Sequence, residues 1–87
     1  MKFLVELDKI NSYIGPDDWK ELGKIRPDLT EYIRLRGYEG PIKFSLDSAG
    51  GDLYVDMEQS NVFKNLDSLV NELNRHFPGY VFDPEED

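Results

Sequence analysis

The residues of this sequence that could do chemistry are mostly carboxylates, and several of them come in pairs. The pairs are Asp17 with Asp18, Asp47 with Asp52, and Asp56 with Glu58. Acid–base catalysis needs one carboxyl group desolvated in a cleft, opposite a polar partner. The surrounding pattern instead puts these acids in turns or at outward strand positions, where they stay solvated. We therefore predict no catalytic pair.

Other reactive groups are few. His76 is the single histidine, and beside Phe77 at a predicted helix end it fits a cap or surface group better than a base. The chain has no cysteine, so it has neither a disulfide framework nor a thiolate zinc site. Gly50 and Gly51 lack the following lysine and helix of a phosphate-binding loop. The sequence predicts no enzyme, no metal site and no cofactor.

A β-hairpin is the clearest element that positions the acids. Apolar residues alternate in two runs, Ile42, Phe44 and Leu46, then Leu53, Val55 and Met57. Residues 47–52 between them favour a tight reversal. Pairing Leu46 with Leu53 sets Lys43 opposite Asp56 on the outer face. A slip by one residue would bury the charges, so the pattern predicts this register.

A helix is predicted directly after the hairpin. Its apolar residues recur at the spacing of one helical face: Val62, Leu66, Leu69, Val70, Leu73 and Phe77. Asn65 is a suitable N-cap, and Pro78 with Gly79 ends the helix. A lone hairpin is marginal in water, so we expect hairpin and helix to share one core.

The first half of the chain is less regular. Residues 2–7 alternate as a strand, and residues 15–23 carry the signals of a short helix, with Trp19 as its core anchor. Residues 27–36 fit a helix or a strand. Their Thr, Tyr and Ile residues favour the strand, which would give a three-stranded meander with the hairpin.

These elements predict a single α+β domain over residues 1–82. It would be an antiparallel sheet built as strand, short helix, three-stranded meander and long helix, with the helices mainly on one face. Residues 79–82 could add a short edge strand. Residues 83–87 would form an acidic, frayed tail.

The charge of the chain restricts its partners. Eighteen acids against ten bases give a formal net charge of −8 over 87 residues. Such a surface argues against direct binding to nucleic acid, because phosphates require basic side chains. The charge fits plain solubility, attraction to a basic protein, or imitation of a nucleic acid. The apolar run Phe3 to Val5 is too short for a signal peptide or membrane span, so we expect a cytoplasmic protein without membrane contact.

The outer face of the predicted sheet carries the candidate partner-binding residues. These are Asp47, Asp52, Tyr54, Asp56 and Glu58 of the hairpin, with Tyr32 and Arg34 of the neighbouring strand. Tyr54 would be the anchor, since Tyr and Arg are enriched at binding hot spots. As a layout, Tyr32 to Met57 resembles RNA-binding modules and small RelE-type ribonuclease toxins, which implies activity on RNA.

We expect a small, acidic, non-enzymatic protein that inhibits or regulates a basic or nucleic-acid-binding partner. Immunity proteins, antitoxin-like inhibitors and phage-encoded inhibitors such as anti-CRISPR proteins belong to this class, and charge mimicry is one mechanism for it. The first alternative is a structural or accessory domain that self-associates through a strand edge or sheet face. The second alternative is a small ribonuclease-type toxin. The expected state is a monomer or a weak homodimer.

Overall fold

An antiparallel sheet of four strands forms the centre of the fold. The computed structural model describes residues 1–8, 21–47 and 52–85. The strands are β1 (Lys2–Leu7), β2 (Ile42–Asp47), β3 (Asp52–Met57) and β4 (Tyr80–Pro84). Their order in the sheet is β2-β3-β1-β4, so β1 lies between two partners that are distant from it in the chain.

Two helices complete the described architecture. Helix α1 spans Ile25–Leu35 and helix α2 spans Leu66–His76. The order of these described elements is therefore β1-α1-β2-β3-α2-β4, which is also the order of elements in the ferredoxin-like, split βαβ motif. Residues 21–23 are also helical. The general α+β class expected from the sequence is confirmed.

The hairpin has the register that its alternating residues predict. Ile42 pairs with Met57, Lys43 with Asp56 and Leu46 with Leu53. One detail differs, because Leu46 is 44% exposed although it shares a face with buried residues. The strand that carries it is an edge of the sheet, where neighbouring side chains cover it from one side only.

The strand predicted for residues 27–36 is wrong, because this segment forms most of α1. Leu29 and Ile33 lie four residues apart and are both fully buried, which a helix allows on one face. Thr30 is accommodated because its hydroxyl donates to the Arg26 carbonyl at 2.9 Å. Burial of this face outweighs the strand preference of individual residues. The predicted meander is replaced by β1, whose Phe3 pairs with Val55.

The core lies on one side of the sheet. Its strand residues are Phe3, Val5, Leu53, Val55, Met57 and Phe82, and its helical residues are Leu22, Ile25, Leu29, Ile33, Leu69, Val70 and Leu73. All of them belong to one buried cluster with Tyr38 and Phe63 from the connecting segments. The buried residues of both described helices therefore belong to the same cluster as Phe3 and Val55.

The ends of α2 match the sequence pattern. The Asn65 side chain accepts a hydrogen bond from the Ser68 amide at 2.8 Å, and Arg75 and His76 lie in the last turn. Asn74 then joins the helix to β4, because its side-chain amide exchanges hydrogen bonds with the backbone of Phe82 at 2.9 and 2.8 Å. This pair fixes β4 against α2, while the ladder that runs from the pair Phe3 and Pro84 to the pair Leu7 and Tyr80 sets it beside β1.

The last strand continues past the predicted end of the domain at residue 82. It runs to Pro84, and the Glu85 amide donates to the Lys2 carbonyl at 2.9 Å. Asp83 and Pro84 therefore belong to the sheet and Glu85 is hydrogen-bonded to it, while residues 86–87 of the predicted tail lie outside the described residues. Most of the short helix predicted for residues 15–23, including Trp19, lies outside the described residues. Leu22 is described, and it is buried.

Removing a core side chain of α2 should destabilise the protein far more than removing an exposed one of α1. Leu69 is fully buried and Leu35 is 78% exposed. Leu69→Ala should lower the free energy of unfolding by roughly 2–5 kcal/mol, because it leaves a cavity. Leu35→Ala, the matched control, should change it by less than about 0.5 kcal/mol. Urea denaturation of both variants measures this, and equal losses would contradict the assigned core.

Candidate functional site on the open face of the sheet

The open face is the side of the sheet opposite the core. Cross-strand pairing arranges its outward residues in rows that run across the strands. The first row holds Asp47, Asp52, Glu6 and Val81, the second Ser45, Tyr54, Leu4 and Asp83, and the third Lys43, Asp56, Lys2 and Glu85. Carboxylates outnumber lysines on this face, and both lysines lie in the third row.

The residues Asp47, Asp52 and Glu6 form what we call the acid row. Asp47 pairs across the strands with Asp52, and the pairing of Val5 with Leu53 places Glu6 opposite Asp52 on the other side. Partial burial raises the pKa of Glu6, and the negative charges of Asp52 and Asp83 raise it further. Like charges directly opposite one another on a sheet are destabilising. The acid row thus concentrates carboxylates, and the charge of Glu6 beside Asp52 is held at the expense of folding stability.

Tyr54 occupies the middle of the open face. Its ring lies 5.6 Å from the Lys2 ammonium nitrogen, within range of a cation–π contact. Partial burial raises the pKa of the Tyr54 phenol, and Asp52 and Glu85 raise it further, so the hydroxyl remains a hydrogen-bond donor. Leu4, half-buried, lies beside it on β1.

A depression of about 550 Å³ lies around this tyrosine. It is lined by Lys2, Lys43, Phe44, Ser45, Tyr54, Asp56 and Glu85. Both signs of charge line it, together with an aromatic ring. Such a surface can orient a charged ligand as well as attract it. The ligand's charges are attracted in one position and repelled in others, because positive and negative side chains alternate.

Asp56 has a different electrostatic environment from the acid row. It pairs with Lys43 on one side and with Lys2 on the other. Opposite charges across strands are favourable, so the two lysines balance its charge locally. We call Lys43, Asp56, Lys2 and Glu85 the mixed row.

The structure brings together some of the residues that we predicted from the sequence to bind a partner. Asp47, Asp52, Tyr54 and Asp56 share the open face. Glu58 follows the end of β3 and is exposed, while its backbone amide donates to the Tyr38 hydroxyl at 2.9 Å. It borders a small cleft next to Lys43 and Asp56, at the margin of the face.

Tyr32 and Arg34 were expected beside these acids, and that placement is wrong because both belong to α1. The Tyr32 hydroxyl donates to Glu72 at 2.6 Å, and its ring lies 4.3 Å from the His76 ring. Arg34 donates to the carbonyls of Tyr38 and Gly40 at 3.0 and 2.6 Å. These contacts connect structural elements on the helical side of the molecule.

The pair Tyr32–Glu72 belongs to a network that joins the two helices. Arg36 contacts Glu72 at 2.7 Å, and the Arg36 side chain is about half exposed. Burial opposes ionisation of Glu72, but hydrogen bonds from Tyr32 and Arg36 outweigh it and lower the pKa of this carboxyl. Glu72 is therefore a stabilising acid, in contrast to Glu6.

The candidates named from the sequence did not include the six residues of the open face outside the hairpin: Lys2, Leu4, Glu6, Val81, Asp83 and Glu85. The alternation in β1 already points Glu6 outward, away from Val5 and Leu7. The missing information was the strand order, because β1 meets β3 only in the folded sheet. Among the described residues, no group of His, Cys, Asp and Glu side chains is arranged to hold a metal ion. No helix in the described part has the length and apolarity needed to cross a membrane.

Neutralising Glu6 should stabilise the protein at neutral pH. Because folding raises its pKa, Glu6 supports folding below its ordinary pKa and loses that contribution as the pH rises through the folded value. Glu6→Gln should therefore raise the free energy of unfolding by roughly 0.2–1 kcal/mol at pH 7, the cost of a like-charge cross-strand pair. Urea denaturation of both proteins at about eight pH values between 3.5 and 7.5 measures this difference in the free energy of unfolding. The difference should vanish at the acidic end.

Glu72→Gln is the matched control, since it makes the same chemical change with the opposite sign. Folding lowers the pKa of Glu72, so its contribution is present above the ordinary pKa and is lost as the pH falls through the folded value. This variant should be destabilised at pH 7 and approach the wild type in acid. A destabilised Glu6→Gln protein at pH 7 would contradict the assigned acid row.

Comparisons with known proteins do not indicate what the open face does. Comparison of the chain with protein-family models, with curated protein sequences and with solved structures gave no match. The function is therefore inferred from the charges, contacts and strand pairing of the open face itself.

Proposed function

We propose that this chain is a non-enzymatic binding protein that inhibits or regulates a basic partner, and that the open face is its contact surface. The observation that carries the proposal is the acid row beside a central, partly buried tyrosine. The proposed partner is a protein that binds nucleic acid through a cationic surface. Occupation of that surface by the acid row would exclude the nucleic acid. We place this encounter in the cytoplasm.

The spacing of the acid row supports imitation of a phosphate backbone. Neighbouring strands lie about 4.8 Å apart, which sets the interval between Asp47, Asp52 and Glu6. One strand of a nucleic acid duplex carries a charge about every 3.4 Å along the axis. The two charge densities are similar enough for one set of lysines and arginines to be neutralised by either.

Glu6 adds a coupling between binding and protonation. Burial and the charge of Asp52 raise its pKa, so protons compete with a bound cation for this carboxylate. A lysine or arginine of the partner placed against the row would lower that pKa again. Association should therefore release protons. Strong binding to the partner also relieves the repulsion that the free protein tolerates.

Tyr54 and the mixed row would supply specificity. An aromatic side chain at the centre of an interface is a typical hot spot, and its loss acts mainly on dissociation. The alternation of Lys43, Asp56, Lys2 and Glu85 would repel a cationic surface docked in a wrong register. A uniformly acidic surface would lack this discrimination.

The experiment compares two triple variants that carry the same net charge. The open-face variant combines Glu6→Gln, Asp47→Asn and Asp52→Asn. The control combines substitutions to Gln at three exposed acids away from this face: Glu21, Glu31 and Glu39. A ten-residue oligolysine serves as the probe, with binding measured by titration calorimetry at low and physiological salt. We expect at least about tenfold weaker binding for the open-face variant than for the control, which is about 1.4 kcal/mol.

Equal affinities of the two variants would contradict the proposal, because they would show that net charge alone attracts the probe. Amide chemical-shift mapping on the wild type gives an independent outcome. Shifts should concentrate at Asp52, Tyr54 and Glu6. Capture from the native host then tests the partner: a basic protein retained by the control and lost by the open-face variant is the expected result.

A further inference from the structure

We propose that a second copy of this chain pairs with the edge of β2 that no other described strand covers, which we call its free edge, antiparallel, about a two-fold axis at Ser45. The two sheets would then form one continuous sheet through both copies. This inference concerns backbone pairing at the edge of the sheet and does not require the proposed function, although its charge pairs use Lys43 and Asp47 of the open face. It follows from the direction of the backbone groups along β2 and from the order of its side chains.

The backbone of β2 presents bonding groups at the free edge at every second residue. The Met57 amide donates to the Met1 carbonyl at 2.8 Å, and the Met1 amino group donates to the Met57 carbonyl at 2.7 Å. Met57 therefore faces β1, and its cross-strand partner Ile42 faces away from β3. By alternation, Ile42, Phe44 and Leu46 direct their N–H and C=O groups to the free edge.

One register satisfies these groups and the side chains together. With Ser45 on the two-fold axis, Phe44 of each copy pairs with Leu46 of the other, and each pair exchanges two backbone hydrogen bonds. The same register sets Lys43 opposite Asp47 of the second copy on the open face. Because the axis makes every contact twice, both copies form this charge pair.

Other registers lose these contacts. A shift of two residues places Lys43 opposite Ser45 or beyond the strand, so the charge pairs disappear. A shift of one residue would pair side chains of the core side with side chains of the open face. The N–H groups at the edge of β2 would then no longer face the carbonyl groups of the second copy. Lysine on an edge strand commonly discourages pairing with other chains. In this register it instead meets an acid, so the edge selects a second copy over an unrelated strand.

The exposed Leu46 supports the same geometry. It is 44% exposed in the single copy, on the sheet side that carries the core. In the pair it would lie beside Phe44 of the second copy, which is itself half-buried. A contact limited to one strand from each copy is small by the standard of stable interfaces, so the dimer should be weak, in the micromolar range or above.

Charge exchange tests the register. Sedimentation equilibrium at physiological salt, where repulsion between the acidic copies is screened, should detect the wild-type dimer at several hundred micromolar, a range of roughly 100–1000 µM. Lys43→Asp and Asp47→Lys should each weaken association at least about tenfold, because each sets like charges opposite one another. The double variant should recover it. A monomeric wild type, or a double variant that is folded by circular dichroism yet fails to recover, would overturn the proposal.

A cysteine at the two-fold axis gives a second test, which does not depend on whether the charge variants fold. The chain has no cysteine, so Ser45→Cys introduces a single thiol. In the proposed dimer the two Cα atoms of residue 45 would lie about 4.5 Å apart as a non-hydrogen-bonded pair, within the range of a disulfide. Oxidation should cross-link this variant much faster than Asn71→Cys, the control on the exposed face of α2. Equal rates would overturn the proposal.

Discussion

The pairing of β1 between β3 and β4 is the constraint on which the rest of the structure depends. On its core side this strand buries Phe3 and Val5 completely, and the two helices close over them. On its other side it carries Leu4 and Glu6 to the middle of the open face. One strand therefore completes the hydrophobic core and also assembles the acid row. A change that shifts β1 by one residue would disturb both together.

Two glutamates, Glu72 on the helical side and Glu6 on the open face, show how stability and charge are balanced in this fold. Glu72 lies where hydrogen bonds from Tyr32 and Arg36 favour its ionised form, whereas Glu6 lies where Asp52 and burial oppose it. Repulsion of this kind is tolerated because each strand also contributes buried side chains to the core. Groups of like charges that lower folding stability in this way are frequently functional, since a cationic partner can offset their repulsion on binding.

Local periodicity was sufficient to predict the elements that are close in the chain. The register of the hairpin and the Asn65 cap of α2 both follow from short patterns, and the structure confirms them. The segment 27–36 was predicted wrongly, because Leu29 and Ile33 fit a buried helical face as well as they fit a strand. Strand order is set by packing between distant segments. This is why the sequence could place Asp47 and Asp52 on one face but could not bring Glu6 to them.

The titration of Glu6 tests the central claim most directly. Carbon-detected NMR of its side-chain carboxyl, followed from acid to neutral pH, should give a pKa above the ordinary glutamate value in the free protein. Addition of oligolysine should lower that pKa, because a cation bound at the acid row favours the ionised form. A Glu6 pKa at its ordinary value, or one that oligolysine leaves unchanged, would contradict the assembly of the acid row and its role in binding.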